Sequence, residues 1–413
     1  MKEVNKMSKF IVLDIVFHGN SLNYDQGTGN IQELKKITRW DGKQYTLVSR
    51  YALRYSILEM LGKNNPEIYT PAEKLEKIGN KNKENQENGV IQPKIEFLLS
   101  GEILKYPEFN LFGYLITSIN PQASRDAKVK ISHAISLTPF NYDTHFNANI
   151  GLAKRISKST GEMGPNLFTI EEHITYYIYT VVIDEDEIGK MEVCINKETE
   201  KLDKNEIKID SSVKCKCIDN NNRPVEVTKI IIEEKQTKKK EKVCEIKLYD
   251  TNNNSIEIDK KNIILEYELK DKQTTSNLIK ELLDAIFNLK RNIKGRSEDL
   301  SPKLAIIGFY DGKYQSFKDR ISLLDEYNEE IIEEETKLEN GKKIVKKIVK
   351  TTKPKFKIES SNEFEKLNTL EDILNNFKEI KDSKKIYLYT SPEIKVEANI
   401  AENKSKVTNS TKE

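Results

Sequence analysis

Residues 9–17, KFIVLDIVF, limit most strongly what this chain can become. The run is almost wholly apolar, does not alternate and is rich in β-branched side chains. A half-exposed strand alternates polar with apolar residues, whereas a strand covered on both faces reads as one continuous apolar run. The stretch is therefore read as a central strand that needs a layer on each face. With 413 residues, the chain is long enough for two domains, or for one domain with large insertions, and for a substantial core.

Downstream patterning extends this reading. A polar, Gly-rich loop, HGNSLNYDQGTGNIQELKKITRWDGKQY, follows the strand. An amphipathic helix is expected over 49–61, with Leu53, Ile57, Met60 and Leu61 as its apolar stripe and Gly62 as its end. Residues 77–90 read as a low-complexity polar loop, 109–117 as a second strand, and 129–140 as a short segment leading into the polar loop NYDTHFNANIG. HITYYIYTVVIDEDEIG, 173–189, is a strong strand with an acidic turn; Ile174, Tyr176, Ile178 and Thr180 share one face. Residues 191–270 read as a β-rich insertion of hairpins. Residues 276–293 read as a second amphipathic helix with Leu278, Leu282, Ile286 and Leu289 on its stripe, followed by the strand KLAIIGFY. Beyond 320, an acidic run meets a basic run across Asn340-Gly341, a hairpin signal with cross-strand ion pairs. A short helix, TLEDILNNFKEI, a late strand, KKIYLYT, and a polar tail complete the chain. The order strand, helix, strand, strand, insertion, helix, strand fits an α+β fold with an antiparallel sheet of the RRM or ferredoxin-like type, heavily decorated.

Charge narrows the function classes. Lys and Arg total 68 against 66 Asp and Glu, a formal net charge of +2. Any anion site must therefore come from local clustering. No run of about 18 apolar residues is present to cross a membrane. The N-terminal apolar run is too short and too interrupted for a signal peptide, so the expected location is the cytoplasm. The four cysteines, Cys194, Cys215, Cys217 and Cys244, lack paired Cys-x-x-Cys knuckles, and neither disulfides nor a structural zinc is expected. HExxH, GxSxG and Walker A patterns are absent.

Two basic clusters stand out. Lys35, Lys36, Arg39, Lys43, Arg50 and Arg54 face a single acid, Asp41, with Trp40, Tyr45 and Tyr51 interleaved. Ser49 is the expected N-cap of the helix that carries Arg50 and Arg54 one turn apart. Helix mouths attract phosphate, and arginines beside aromatics suit single-stranded nucleic acid. A solvated helix face with a buried Trp explains the same composition. Lys290, Arg291, Lys294 and Arg296 form the second cluster, around a helix C-terminus and a Gly-containing turn. The helix dipole accounts for the first two and less well for Lys294 and Arg296. Asp25, in the loop after the first strand, is either a turn former or an acid/base group.

Five segments in order, FIVLDIVFHGNSLNYDQGTGNI, KKITRWDGKQYTLVSRYALRYSI, ISHAISLTPFNYDTHF, LFTIEEHITYYIYTVVIDEDEIG and LKRNIKGRSEDLSPKLAIIG, resemble the DevR-type backbone subunit of type I-B CRISPR Cascade, the seventh CRISPR-associated protein family. The resemblance spans roughly residues 8–62, 110–190 and 276–310. It implies an RRM-like palm built from 8–190 and 271–320, with inserted finger and thumb elements. Residues 191–270 would be the thumb, and 321–413 a hairpin, helix, strand and tail. It further implies a non-catalytic subunit, without cofactor or metal, that polymerises along a CRISPR guide RNA. Its partners would be copies of itself, target DNA through the guide, and the other Cascade subunits: the large subunit, the small subunit, the guide 5'-end-binding subunit and the repeat-cleaving endonuclease. Lys35, Lys36, Arg39, Trp40, Lys43, Ser49, Arg50, Arg54, Lys294 and Arg296 would contact RNA. The chain departs from the family pattern at Arg50, where a small residue often follows the helix-opening Ser. Two alternatives remain at this stage: a type III-like, metal-dependent ribonuclease using Asp25, and a protein scaffold that needs no RNA.

Overall fold

The computed structural model describes residues 9–79, 89–161, 164–199, 202, 205–236, 242–325, 328–337 and 343–401. Strands predominate, in several separate sheets joined by a few helices, so the class is mixed α+β. The chain forms two compact units, Phe10–Ser56, Ile131–Val181 and Ile286–Glu413 in one, and Met1–Lys9, Ile57–Lys130 and Val182–Ala285 in the other.

The first unit carries the candidate site. Its strands are β1 (Lys9–Asn20), β2 (Lys36–Thr38), β3 (Gln44–Val48), β4 (Ala134–Ser136), β5 (Ile174–Asp184), β6 (Lys290–Ile293), β7 (Arg296–Asp299), β8 (Leu304–Asp311), β9 (Glu365–Leu367) and β10 (Ile386–Thr390). The main sheet runs β2–β3–β4–β5–β1–β8–β10–β9. Its pairs are antiparallel from β2 to β5 and between β8 and β10, and parallel between β9 and β10. The expected central strand is found: Ile11 to Phe17 are all buried in β1, flanked by β5 and β8. Val16, Tyr176, Ile178, Leu304, Ile306, Phe317, Phe356, Phe364 and Leu388 pack one apolar layer. Asp14 interrupts the β1 run. Its carboxylate accepts from the Thr180 and Ser316 hydroxyls at 2.6 and 2.8 Å and from Phe317 N–H at 2.6 Å. A buried carboxylate is tolerable only when so satisfied.

In the second unit, strands 190–196, 213–218 and 262–269 pair antiparallel and share a core with Ile95, Phe97, Leu98, Leu99 and Ile103. Cys215 and Cys217 point into that core from alternate positions of one strand, as β-periodicity requires. Arg125 is buried, and main-chain carbonyls take most of its donors. Its guanidinium donates to the carbonyls of Lys190, Phe109, Asn110 and Glu187 at 2.9, 2.9, 2.6 and 3.1 Å.

Several boundaries differ from the sequence reading. The helix α1 spans Arg50–Asn64 and runs through Gly62. Gly62 is an approach point rather than a stop, because a Cβ there would lie 2.3 Å from the Tyr69 hydroxyl. Residues 109–117 are a short helix end, Pro107–Asn110, and a strand of three residues, Tyr114–Ile116. The loop 141–151 contains a strand, Thr144–Ala148, and opens a helix, Ile150–Thr160. The helix expected over 276–293 is α2, Lys272–Phe287, and Lys290 and Arg291 lie in β6. Residues 80–88 of the expected polar loop and the Asn340-Gly341 turn lie outside the described residues. The two arms of the latter, Asn328–Lys337 and Lys343–Thr352, pair antiparallel and place Glu330, Glu333 and Glu334 opposite Lys350, Lys347 and Lys346.

Candidate nucleic-acid interface

The site starts from local structure. The polar loop after β1 folds back as the hairpin β2–β3, whose turn holds Arg39, Trp40, Asp41, Gly42 and Lys43. Gly42 supplies the positive φ, and Asp41 accepts from Lys43 N–H at 3.0 Å and from the Tyr45 hydroxyl at 2.8 Å. The Asp41 carboxyl is held below the usual carboxylate range, chiefly by the Tyr45 hydrogen bond. Arg39 lies over the Tyr45 ring at 4.9 Å. Trp40 is 92% exposed at the tip and is not the core residue that aromatic patterning also allowed.

From β3 the chain enters α1. Ser49 is the N-cap: its Oγ accepts from Ala52 N–H at 3.2 Å, while its own N–H is held by Asn23 Oδ1 at 2.9 Å. Arg50 N–H donates to His133 Nδ1 at 3.0 Å. The Arg50 guanidinium lies over the Tyr51 ring at 5.0 Å and donates to its hydroxyl at 3.0 Å. The first turn of α1 contains no acidic residue, so nothing on it cancels the positive helix end.

A third segment, remote in sequence, completes this cluster. Lys318 Nζ donates to Ser132 Oγ at 3.1 Å and to the His133 carbonyl at 3.2 Å. Burial lowers the Lys318 pKa, Asp319 and Asp14 oppose the fall, and Arg39 adds to it. Burial, followed by the charges of Arg50 and Lys318, lowers the His133 pKa below its ordinary value. Arg39, Arg50, His133 and Lys318 thus share one electrostatic neighbourhood. Among the described residues, no carboxylate forms an ion pair with Arg39, Arg50 or Lys318. The sequence reading missed Lys318 and the role of His133. The only signal was a lone Lys in SFKDR and a lone His in ISHAISL, and neither spacing points to α1.

The remaining candidates divide. Lys294 and Gly295 form the β6–β7 turn with φ of 47° and 78°, the two positive values that a type I′ hairpin demands. Lys294 lies over the Tyr24 ring at 4.0 Å and donates to Gln32 Oε1. Arg296 pairs with Glu172 at 3.3 Å. Arg291 ties this hairpin to α1: it donates to the Leu22 and Ala52 carbonyls at 2.9 and 3.2 Å and to Ser56 Oγ at 3.1 Å. Lys35 pairs with Asp25 at 2.8 Å, and that pair, with Gln26 N–H, holds the exposed Asp25 carboxyl low. Lys36 is committed elsewhere. Its ammonium meets the buried Glu171 carboxylate at 2.6 Å and lies over Phe140, while Glu171 also accepts from Leu34 N–H at 2.6 Å. Among the described residues, no group of three or more His, Cys, Asp or Glu side chains is arranged to hold a metal ion.

The family model described as "CRISPR-associated negative auto-regulator DevR/Csa2" matches residues 11–332. The chain belongs to the DevR/Csa2 family. Two solved structures are similar at low identity. A chain of a "CRISPR RNA-guided surveillance complex, pre-nicking" is 12% identical, with a TM-score of 0.39 over 75% of this chain and 81% of that one. A chain of a "CRISPR RNA-guided surveillance complex" is 12% identical, with a TM-score of 0.33 over 75% of this chain and 73% of that one. Comparison with curated proteins gives no match. The family assignment meets the expectation drawn from the ordered sequence segments.

Proposed function

We propose that this DevR/Csa2 chain is a non-catalytic backbone subunit of a Cascade complex that grips the phosphates of a guide RNA. In this reading the main sheet is the RRM-like palm and residues 191–270 act as the thumb. Copies assemble along the RNA and present it to target DNA, in company with the other Cascade subunits. One observation carries the reading: Arg39 of the β2–β3 turn, Arg50 at the mouth of α1 and Lys318 after β8 share one electrostatic neighbourhood, and among the described residues none of these three forms an ion pair with a carboxylate. Such a cluster repels itself unless an anion is present, and a polyanion with regularly spaced phosphates neutralises several charges at once. Arg39, Arg50 and Arg54 are assigned the phosphates, with Ser49 fixing the helix mouth, and Trp40 and Lys43 reach outward from the hairpin tip. Lys294, Arg296 and Lys35 are assigned a second row. Lys36, locked to Glu171, holds β2 in place instead of meeting RNA.

The test is co-expression with a CRISPR array and the partner subunits, followed by native mass measurement. Oligomers carrying one discrete RNA are expected, and Arg50→Ala with Arg54→Ala should lower RNA occupancy at least about tenfold. RNA-free protein in the presence of those partners would refute the reading. Asp25→Ala should leave target binding and assembly unchanged; loss of an RNA-cutting activity would instead establish the ribonuclease alternative.

A further inference from the structure

We propose that His133 is a positioning residue for this RNA-binding face: its uncharged imidazole caps α1 and holds Arg50 in place without adding a negative charge to the helix mouth. The inference rests on the reading of α1 as the phosphate-gripping element.

Three observations support it. The acceptor for Arg50 N–H is the ring atom Nδ1, at 3.0 Å. An N–H donor facing Nδ1 requires that atom to be unprotonated, so the neutral ring carries its proton on Nε2. Ser49 Oγ, which accepts from Ala52 N–H, is neutral too. Helix N-caps take Asp as readily as Ser or Asn, and Asp or Glu in the first turn further stabilises the helix mouth. Here both side-chain acceptors are uncharged, and the first turn has no acid. A carboxylate at 133 would make the same hydrogen bond, but it would neutralise Arg50 and repel a phosphate.

The mounting of His133 is equally specific. Its carbonyl accepts from Lys318 Nζ at 3.2 Å and from Ser132 Oγ at 3.1 Å. Ser132 Oγ in turn accepts from Thr180 N–H at 2.9 Å. The Lys318 segment is anchored by Asp14, through Ser316 Oγ and Phe317 N–H. The backbone that carries the ring is thus fixed from the central strand outward through a chain of hydrogen bonds.

The test compares the full chain with H133N, H133D and H133A in binding a fluorescein-labelled oligouridylate, with folding followed by circular dichroism. Asn places an amide oxygen near Nδ1, so H133N should bind within about twofold of the parent. H133A should weaken binding by about fivefold and H133D by more than about tenfold, although H133D keeps a helix cap and a normal melting temperature. If H133D binds as well as the parent while the Arg50→Ala, Arg54→Ala variant binds poorly, His133 has only a structural role and the proposal falls. H133A and H133N behaving alike would also overturn it. If the double arginine variant binds as well as the parent, the phosphate reading of α1 itself fails.

Discussion

At the residue scale, the fate of each lysine is set by what lies next to it. Lys36 and Lys35 are neighbours in sequence, yet one pairs with a buried carboxylate and the other with an exposed one. Removing one partner from a buried pair leaves an uncompensated charge in low dielectric. Lys36→Ala should therefore cost about 3 kcal/mol in urea unfolding, whereas Lys35→Ala should cost less than about 1 kcal/mol. Equal losses would contradict the assignment of Lys36 to the scaffold. His133 gives a pH prediction at the same scale. Burial, Arg50 and Lys318 all depress its folded pKa below the ordinary 6.5. Between the two values the unfolded chain binds the proton and the folded chain does not. The His133 contribution to stability is therefore complete above pH 6.5 and is lost as pH falls toward the folded pKa. Thermal melting at a series of pH values should show a smaller acid-side decline for H133N. His173, also depressed by burial, keeps the remaining slope. An unchanged decline in H133N would mean that the ring does not titrate as the geometry requires.

At the element scale, what the sequence revealed depended on whether burial or pairing forms the element. β1 and β5 were legible because continuous apolar runs have few other fates. The hairpin β2–β3 was not: its strands have three and five residues, and Ile37 and Gln44 face solvent, so neither shows a clean alternation. The start of α1 was legible from Ser49, whereas its end was misread because Gly62 answers to the Tyr69 ring across a gap that no local pattern records. Likewise the Ser49–Arg50–Arg54 part of the candidate site could be read from spacing, while its His133 and Lys318 parts depend on contacts made by distant strands. The β6–β7 turn offers a test that separates backbone from charge. Lys294 holds a left-handed conformation that Asn adopts more readily. Lys294→Asn should keep stability within about 0.5 kcal/mol and still weaken RNA binding. Gly295→Ala keeps every charge and meets no neighbour, but at φ 78° it should lower stability by about 1 kcal/mol. A K294N variant with intact RNA affinity would remove this hairpin from the interface.

At the scale of the whole molecule, net charge is a poor guide to function. A balance of +2 predicts no general affinity for polyanions. Binding through a local cluster should nevertheless be steeply salt-dependent, with log affinity falling by about 0.7 per phosphate contact for each tenfold rise in salt. Losing Arg50 and Arg54 together should flatten that slope by about 1.4. A lower affinity with an unchanged slope would show that the arginines act on folding and not on phosphate.

Trp40 is the only tryptophan in the chain, and it stands almost fully in solvent at the hairpin tip beside Arg39. The protein therefore carries a natural indole probe in the proposed interface and no tryptophan in either core. Its indole emission should already lie at the red, water-exposed end in the folded state and shift little on denaturation, so the wavelength of the tryptophan emission will be nearly blind to unfolding. The same emission should be quenched when a base stacks on the ring. Titration with unlabelled RNA can then report occupancy at this one position, and Trp40→Phe should abolish the signal while leaving most of the affinity.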